Sequence, residues 1–182
     1  MVTIPRLETE RLILRAFTSN DFDAYADLWA DGDWSQFIGG PLDRNKAWRT
    51  LAADIGHWHL LGHGMFAVEE KATGKFVGMI GHWHPEGWPE PEIAWTLAPT
   101  SAGKGFATEA VHELIDYTFN TLKWDTVVSY IDDKNIPSQK VATRVGAIAE
   151  DTIEMNGKPI RVHRHPNPNT NSASSTVPKG SA

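Results

Sequence analysis

Apolar residues recur at two different spacings along this chain, and the two spacings separate predicted helices from predicted strands. Between positions 105 and 122 they recur three and four residues apart, which is the pattern of a helix with one face on a sheet. The same spacing predicts an earlier helix over about 43–58. Two shorter helices are indicated by their end signals, namely a capping sequence at 19–21 before a helix to about 30, and Gly146 after a helix over 137–145.

Short runs rich in β-branched and aromatic residues predict strands between these helices. They cover residues 12–14, 65–70, 75–83, 92–97, 126–131, 147–155 and 158–165. A turn at 71–74 joins the second and third runs, and Asn156-Gly157, a favoured two-residue hairpin turn, joins the last two. The element order β-α-α-β-β-β-α-β-α-β-β predicts an α/β (α+β) domain, with a mixed sheet and helices on both of its faces.

Composition limits what this domain does. The chain has 182 residues, 41% of them hydrophobic, which suffices for the core of one domain. The polar run after Pro166 predicts a domain over 1–166 followed by a disordered tail over 167–182. The chain has no cysteine, which excludes disulfides, thiolate zinc sites and a cysteine nucleophile. A formal charge of -6 disfavours nucleic acid as a partner. No apolar run reaches the about 20 residues of a membrane span, so we expect no membrane partner and a cytoplasmic location.

A glycine-rich turn between a predicted strand and the longest predicted helix indicates an anion site. Gly103 and Gly105 let a phosphate approach the backbone, the helix N-terminus offers unpaired amides, and Lys104 adds a positive charge. Taken alone, the same residues also fit an ordinary strand-to-helix turn. Neither the Walker spacing nor the third glycine of a dinucleotide fingerprint is present, which disfavours those two kinds of phosphate site.

Three separated segments, in register, resemble the GNAT superfamily of N-acetyltransferases. PEIAWTLAP at 91–99 with GKGFATEA at 103–110 resembles its coenzyme A-binding motif, and NIPS at 135–138 with RVGA at 144–147 resembles its next helix. ETERLILR at 8–15 is similar to the start of the RimJ/RimL-type protein N-terminal acetyltransferases. The resemblance covers about residues 6–165. It implies the GNAT fold, with a mixed, mostly antiparallel sheet of six to seven strands.

The same resemblance implies acetyl-CoA as cosubstrate and direct attack by an amine in a ternary complex. The amine would be a protein N-terminal α-amine or a small molecule, and the enzyme a monomer or homodimer. The residues implied in cofactor binding are Leu97, Ala98, Ala102, Gly103, Lys104, Gly105, Phe106, Ala107, Thr108, Asn135 and Ser138. Asn135 is also a candidate N-cap for the helix that contains Ser138.

Glu92 is the first choice for the base that takes a proton from the amine, because the family often has a carboxylate at this place. Glu90 and Glu86 are alternatives, and a solvated strand-end carboxylate explains Glu92 equally well. Two positions depart from the family pattern. Ala102 stands where a Gln or Arg usually meets the pyrophosphate, and Ala142 stands where many members have a tyrosine that protonates the thiolate. The RimJ/RimL-type resemblance assigns that acid role to Ser138, or to a water that it holds.

Histidines and tryptophans leave further alternatives open. His82/His84 and His163/His165 are spaced to share a strand face and could pair on a metal, but without cysteines or a carboxylate pattern we assign no metal and interpret the histidines as solvated. Most of the eight tryptophans are interpreted as core, with aromatic walls for the acceptor as the alternative. The competing functions are a non-catalytic acyl-CoA-binding sensor, motivated by Ala102 and Ala142, and a histidine-rich metal hydrolase.

Overall fold

A computed structural model describes residues 2–170 of the chain, and its central feature is one sheet of eight strands. The strands are β1 Leu7–Glu8, β2 Leu12–Arg15, β3 Met65–Glu70, β4 Lys75–Trp83, β5 Glu92–Leu97, β6 Val128–Ile131, β7 Ile148–Met155 and β8 Lys158–Arg164. Their spatial order is β1-β2-β3-β4-β5-β6-β8-β7. Every neighbouring pair is antiparallel except β5 and β6, which are parallel. The predicted fold class, a mixed and mostly antiparallel sheet with flanking helices, is confirmed, but the sheet has eight strands rather than the expected six to seven because the short β1 adds an edge strand.

The described residues also form five α-helices, which are α1 Phe22–Ala30, α2 Gly32–Ser35, α3 Arg44–Leu61, α4 Phe106–Asp116 and α5 Ile136–Arg144. Asp43 caps α3 by accepting a hydrogen bond from the amide of Lys46, and Gly62 ends it in the left-handed conformation. The predicted helix over 105–122 is divided in two, since a π-helical turn over Tyr117–Thr121 follows α4. Two short elements were not predicted, α2 and the two-residue β1, which pairs with β2.

Two hydrophobic cores cover the two faces of the sheet. Neighbours in a strand point to opposite faces, and accordingly Phe66 packs in the core beneath α4 while Met65 packs with α1 and part of α3. The first core contains the inward face of α4, where Ala110, Val111 and Leu114 are fully buried. The amphipathic pattern of α4 therefore reflects its position against the centre of the sheet.

The described chain continues a few residues past β8. Asn167 donates to the carbonyl groups of Trp124 and Asp125, and Asn169 donates to Asn120. The rest of the predicted tail, 171–182, lies outside the described residues. No helix within residues 2–170 combines the length and apolar composition that crossing a bilayer requires.

Gly81 in β4 provides a test of the close packing of β3 on β4. A Cβ atom at Gly81 would lie 2.3 Å from the carbonyl oxygen of Gly64 and 2.4 Å from the Cα of Met65, so backbone would have to move. We expect Gly81→Ala to lower the free energy of unfolding by about 1–3 kcal/mol. Gly56→Ala in α3 is the matched control, because its Cβ would meet nothing within 4 Å, and it should add about 0.5–1 kcal/mol. Urea unfolding of both variants measures this, and an undiminished stability of Gly81→Ala would contradict the packing.

Candidate active site

The parallel strands β5 and β6 separate almost as soon as they meet. Their ladder consists of the single pair Glu92 and Val128, with the Val128 amide donating to the carbonyl of Pro91 at 3.1 Å. Backbone groups of alternate residues point to opposite sides of a strand. The amide of Ala98 bonds to Val77 on the β4 side, so the backbone groups of Trp95 and Leu97 face the gap between β5 and β6. The sheet therefore has a V-shaped opening at its centre.

Polar side chains occupy the apex of this opening. Ser129 Oγ donates to the carbonyl of Ile93 at 2.6 Å, and it lies 2.9 Å from Nε2 of His165. Because the one hydroxyl proton goes to Ile93, Nε2 of His165 must be the donor to Ser129. The amide of Tyr130 donates to Oε1 of Glu92 at 3.3 Å. Side chains thus satisfy backbone groups that a continued ladder would have paired.

Glu92 is a buried carboxyl with two hydrogen-bond donors. Besides the Tyr130 amide, the indole of Trp88 donates to Oε2 at 2.9 Å. Burial raises the pKa of Glu92 from 4.5 to about 8, and the hydrogen bonds from Trp88 and Tyr130 oppose that rise. A carboxyl with a pKa near neutrality exchanges a proton readily, which is what a general base requires.

A cavity of about 540 Å³ lies beside the opening and brings Glu92, Asn135 and Ser138 into one lining. Asn135 caps α5 by accepting a hydrogen bond from the amide of Ser138 at 3.2 Å, so the cap that the sequence suggested is present.

The two alternative bases are placed differently. Both oxygens of Glu90 bind Arg164, Glu86 is exposed, and neither residue lines the cavity.

The glycine-rich turn has the geometry of an anion site. Gly103 and Gly105 have φ angles of 75° and 80°, and α4 begins directly after Gly105 without a side-chain cap. The first amide with an acceptor inside the helix is that of Glu109, which bonds to Gly105. The amides that precede it at the start of α4 have no acceptor within the helix. These residues fit the pyrophosphate of coenzyme A, and they lie outside the lining of the cavity.

Arg11 supports this turn, a contact that sequence reasoning missed. Its Nη1 donates to the carbonyl of Lys104 at 2.9 Å, its Nε donates to Glu109 at 2.7 Å, and its guanidinium lies 4.8 Å from the centre of the Phe106 ring. Both Arg11 and Glu109 belong to the motif segments 8–15 and 103–110. An arginine in the first segment and a glutamate in the second were the available signal.

The backbone groups of Leu97 and Ala98 already have hydrogen-bond partners. The amide of Ala98 belongs to the ladder with β4, and the carbonyl of Leu97 accepts a hydrogen bond from the indole of Trp34. The pantetheine arm of coenzyme A, if it pairs with the Leu97 carbonyl, would have to share this acceptor with Trp34 or displace it.

Four of the eight histidines, His57, His82, His163 and His165, are buried, so interpreting these four as solvated was wrong. His57, His63 and His82 lie together, with ring centres 5.0 Å and 5.9 Å apart along that series. Burial lowers the pKa of His63 to about 4 and that of His82 to about 3, which keeps both neutral at neutral pH. No group of three potential metal ligands occurs among residues 2–170. The tryptophans serve both expected roles. Trp58 is core, Trp83, Trp88 and Trp95 line the cavity, and Trp29 belongs to the core and to the cavity lining.

Comparison with known proteins identifies the family. Residues 11–148 match the model of the acetyltransferase (GNAT) domain. A solved acetyltransferase from Agrobacterium tumefaciens is 36% identical with a TM-score of 0.82, over 90% of this chain and 95% of that one. The uncharacterised N-acetyltransferase p20 of Bacillus licheniformis is 30% identical over 74% of this chain and 78% of its own. An aminoglycoside acetyltransferase solved with coenzyme A has the same fold, with a TM-score of 0.73 at 14% identity over 91% of this chain and 99% of that one.

The chain belongs to the GNAT acetyltransferase family. It is an acyltransferase, and acetyl-CoA is its cosubstrate.

The buried position of Glu92 predicts a pH dependence of stability. Its pKa is raised in the folded state, so the folded protein binds more protons than the unfolded chain between pH 4.5 and about 8. The contribution of Glu92 to the free energy of unfolding is therefore fully present below pH 4.5 and is lost as the pH rises towards 8. Each unit of difference between the two pKa values corresponds to about 1.4 kcal/mol of this contribution. Relative to Glu92→Gln, the wild type should lose stability between about pH 5 and about pH 9.

Urea unfolding at both pH values measures this difference, with the exposed Glu86→Gln as the control that should follow the wild type. A constant difference between the wild type and Glu92→Gln would show that Glu92 has the same pKa in both states.

Proposed function

We propose that the protein transfers the acetyl group of acetyl-CoA to a primary amine by direct attack in a ternary complex, in the manner of the RimJ/RimL-type enzymes. The acceptor is a peptide N-terminus or a small-molecule amine. The observation that carries the proposal is the position of Glu92, a carboxyl with a pKa of about 8 at the apex of the opened sheet, facing a cavity large enough for an acceptor.

Glu92 takes the proton of the attacking amine in this proposal. The Trp88 indole and the Tyr130 amide fix the orientation of the carboxylate, since each donates to a different oxygen. Only the ionised form accepts a proton, so the fraction of competent Glu92 rises with pH through about 8. Acetyl-CoA supplies the activated acyl group when it is bound, with its pyrophosphate at the turn that contains Gly103 and Gly105.

Ser138 is the proposed donor of the proton that the leaving thiolate needs. It lines the same cavity as Glu92, and its position is fixed by the bond from its amide to Asn135. Ala142, where a tyrosine would be expected, is fully buried in the interior one turn further along α5. A hydroxyl at Ser138 is thus the group of α5 that reaches the cavity and is able to donate a proton.

Release of free thiol from acetyl-CoA, measured with peptide N-termini, amino acids and small amines, tests this function. We expect amine-dependent release whose kcat/KM rises with pH through about 8. Glu92→Gln should lower kcat/KM by about 100-fold or more, a typical loss for a general base. Glu86→Gln, an exposed carboxyl outside the cavity, should leave the rate unchanged. Coenzyme A binding without thiol release for any amine would instead indicate a non-catalytic acyl-CoA-binding module.

The pyrophosphate site has its own matched test at Gly103. Asn and Asp both tolerate a positive φ better than other side chains, and a Cβ at Gly103 would meet nothing within 4 Å. The two variants therefore share their backbone strain and differ in charge. Gly103→Asp should bind coenzyme A about tenfold or more weakly than Gly103→Asn, because of charge repulsion. Equal affinities of the two variants for coenzyme A, measured by titration calorimetry, would show that the pyrophosphate does not bind at this turn.

A further inference from the structure

A second buried carboxyl lines the cavity, and the reaction described above does not use it. Asp54 on α3 is 4% exposed, and the hydroxyl of Tyr25 on α1 donates to its Oδ2 at 2.7 Å. Within residues 2–170 this phenol is the hydrogen-bond partner of the carboxyl, and no second donor reaches it. Burial raises the pKa of Asp54 to about 7, against the effect of the Tyr25 hydrogen bond. A buried carboxylate with one neutral donor costs free energy unless a cation joins it.

The surroundings of Asp54 favour such a cation. The charged residues that line the cavity are three acids and one base, namely Asp54, Glu92, Asp132 and Lys158. Most of the remaining wall near α1 and α3 is apolar and aromatic, with Trp29, Met65, Met79 and Trp83, while Gln36 and Thr50 are polar. Aromatic faces attract cations as well. An acidic cavity with an apolar wall fits a positively charged group at the end of an aliphatic chain.

We propose that Asp54 binds a second cationic group of the acceptor, so that the preferred substrate is an amine with another ammonium group on an aliphatic spacer. This inference rests on the proposed acetyl transfer. The reacting amine lies at Glu92, and the second ammonium lies at Asp54 as its charge partner. An acceptor rich in hydroxyl groups fits less well, because the apolar wall would leave its hydroxyls without hydrogen-bond partners.

A purely structural role of Asp54 makes a different prediction. If the carboxyl only joined α1 to α3 through Tyr25, its loss would affect all acceptors alike and would be reproduced by removing the Tyr25 hydroxyl. A substrate contact instead affects only acceptors with two charges. The loss should then lie mainly in KM, because binding of the second ammonium is separate from the reacting amine.

The experiment compares unbranched terminal diamines of three to six carbons with the monoamines of equal length. For the wild type, kcat/KM of the best diamine should exceed that of its monoamine by about tenfold or more, as for a hydrogen bond to a charged group. Asp54→Asn, which can still accept from Tyr25, should reduce this ratio to about one, mainly by lowering kcat/KM for the diamine. Tyr25→Phe keeps the carboxylate and should keep the preference.

Three results would overturn the assignment: equal use of diamines and monoamines by the wild type, an unchanged ratio in Asp54→Asn, or the same loss in Tyr25→Phe as in Asp54→Asn. Kanamycin is included as a hydroxyl-rich polyamine. If the enzyme used kanamycin better than every diamine, the inference that the preferred acceptor has an aliphatic spacer would be overturned. If no amine releases thiol, the proposed transfer fails. Calorimetric binding of the diamines to the coenzyme A complex of the wild type and of Asp54→Asn then decides the role of Asp54 independently.

Discussion

The divergence of β5 from β6 after a single residue pair is the constraint on which the site depends. Backbone groups in the middle of a sheet need hydrogen-bond partners, and an opened ladder removes them. Here the hydroxyl of Ser129 takes the place of one ladder partner and the carboxyl of Glu92 takes the place of another. The carboxyl of Glu92 is therefore at the apex because the fold needs an acceptor there. Its position for the proposed proton transfer follows from the same hydrogen bond.

This arrangement has a cost that is typical of active sites. Glu92 and Asp54 are both buried acids in one cavity, and burial raises the pKa of each well above the value of a free carboxyl. A carboxyl buried in this way ionises at the expense of stability. Arg15 shows the contrasting case outside the cavity, where its guanidinium binds Asp21 through two hydrogen bonds and lowers the pKa of that carboxyl. Asp21, the buried acid outside the cavity among the described residues, is thus paired with a cation.

Local signals in the sequence predicted most of the fold. The helical spacing that gives α4, the hairpin at Asn156-Gly157 and the glycine turn before α4 all depend on residues close together in the chain, and each matches the structure. The elements that were missed are short, since β1 has two residues and α2 has four, too few for a period to be visible.

Long-range contacts could not be predicted in the same way. His165 was expected to share a strand face with His163 and to be solvated, yet it is buried against Ser129 because β8 lies beside β6. Asp54 is one of several polar residues on α3, and its burial follows only from how α1 packs on α3.

In the proposed reaction the two buried acids act in opposite directions. An ionised Asp54 attracts the second ammonium group of the acceptor and keeps that group protonated. Glu92, which is mostly neutral at neutral pH, adds little charge to the cavity until it ionises and becomes able to accept the proton. Separating the acid that binds from the acid that reacts lets one cavity hold one amine of the acceptor as a cation while the other amine is deprotonated to a neutral nucleophile.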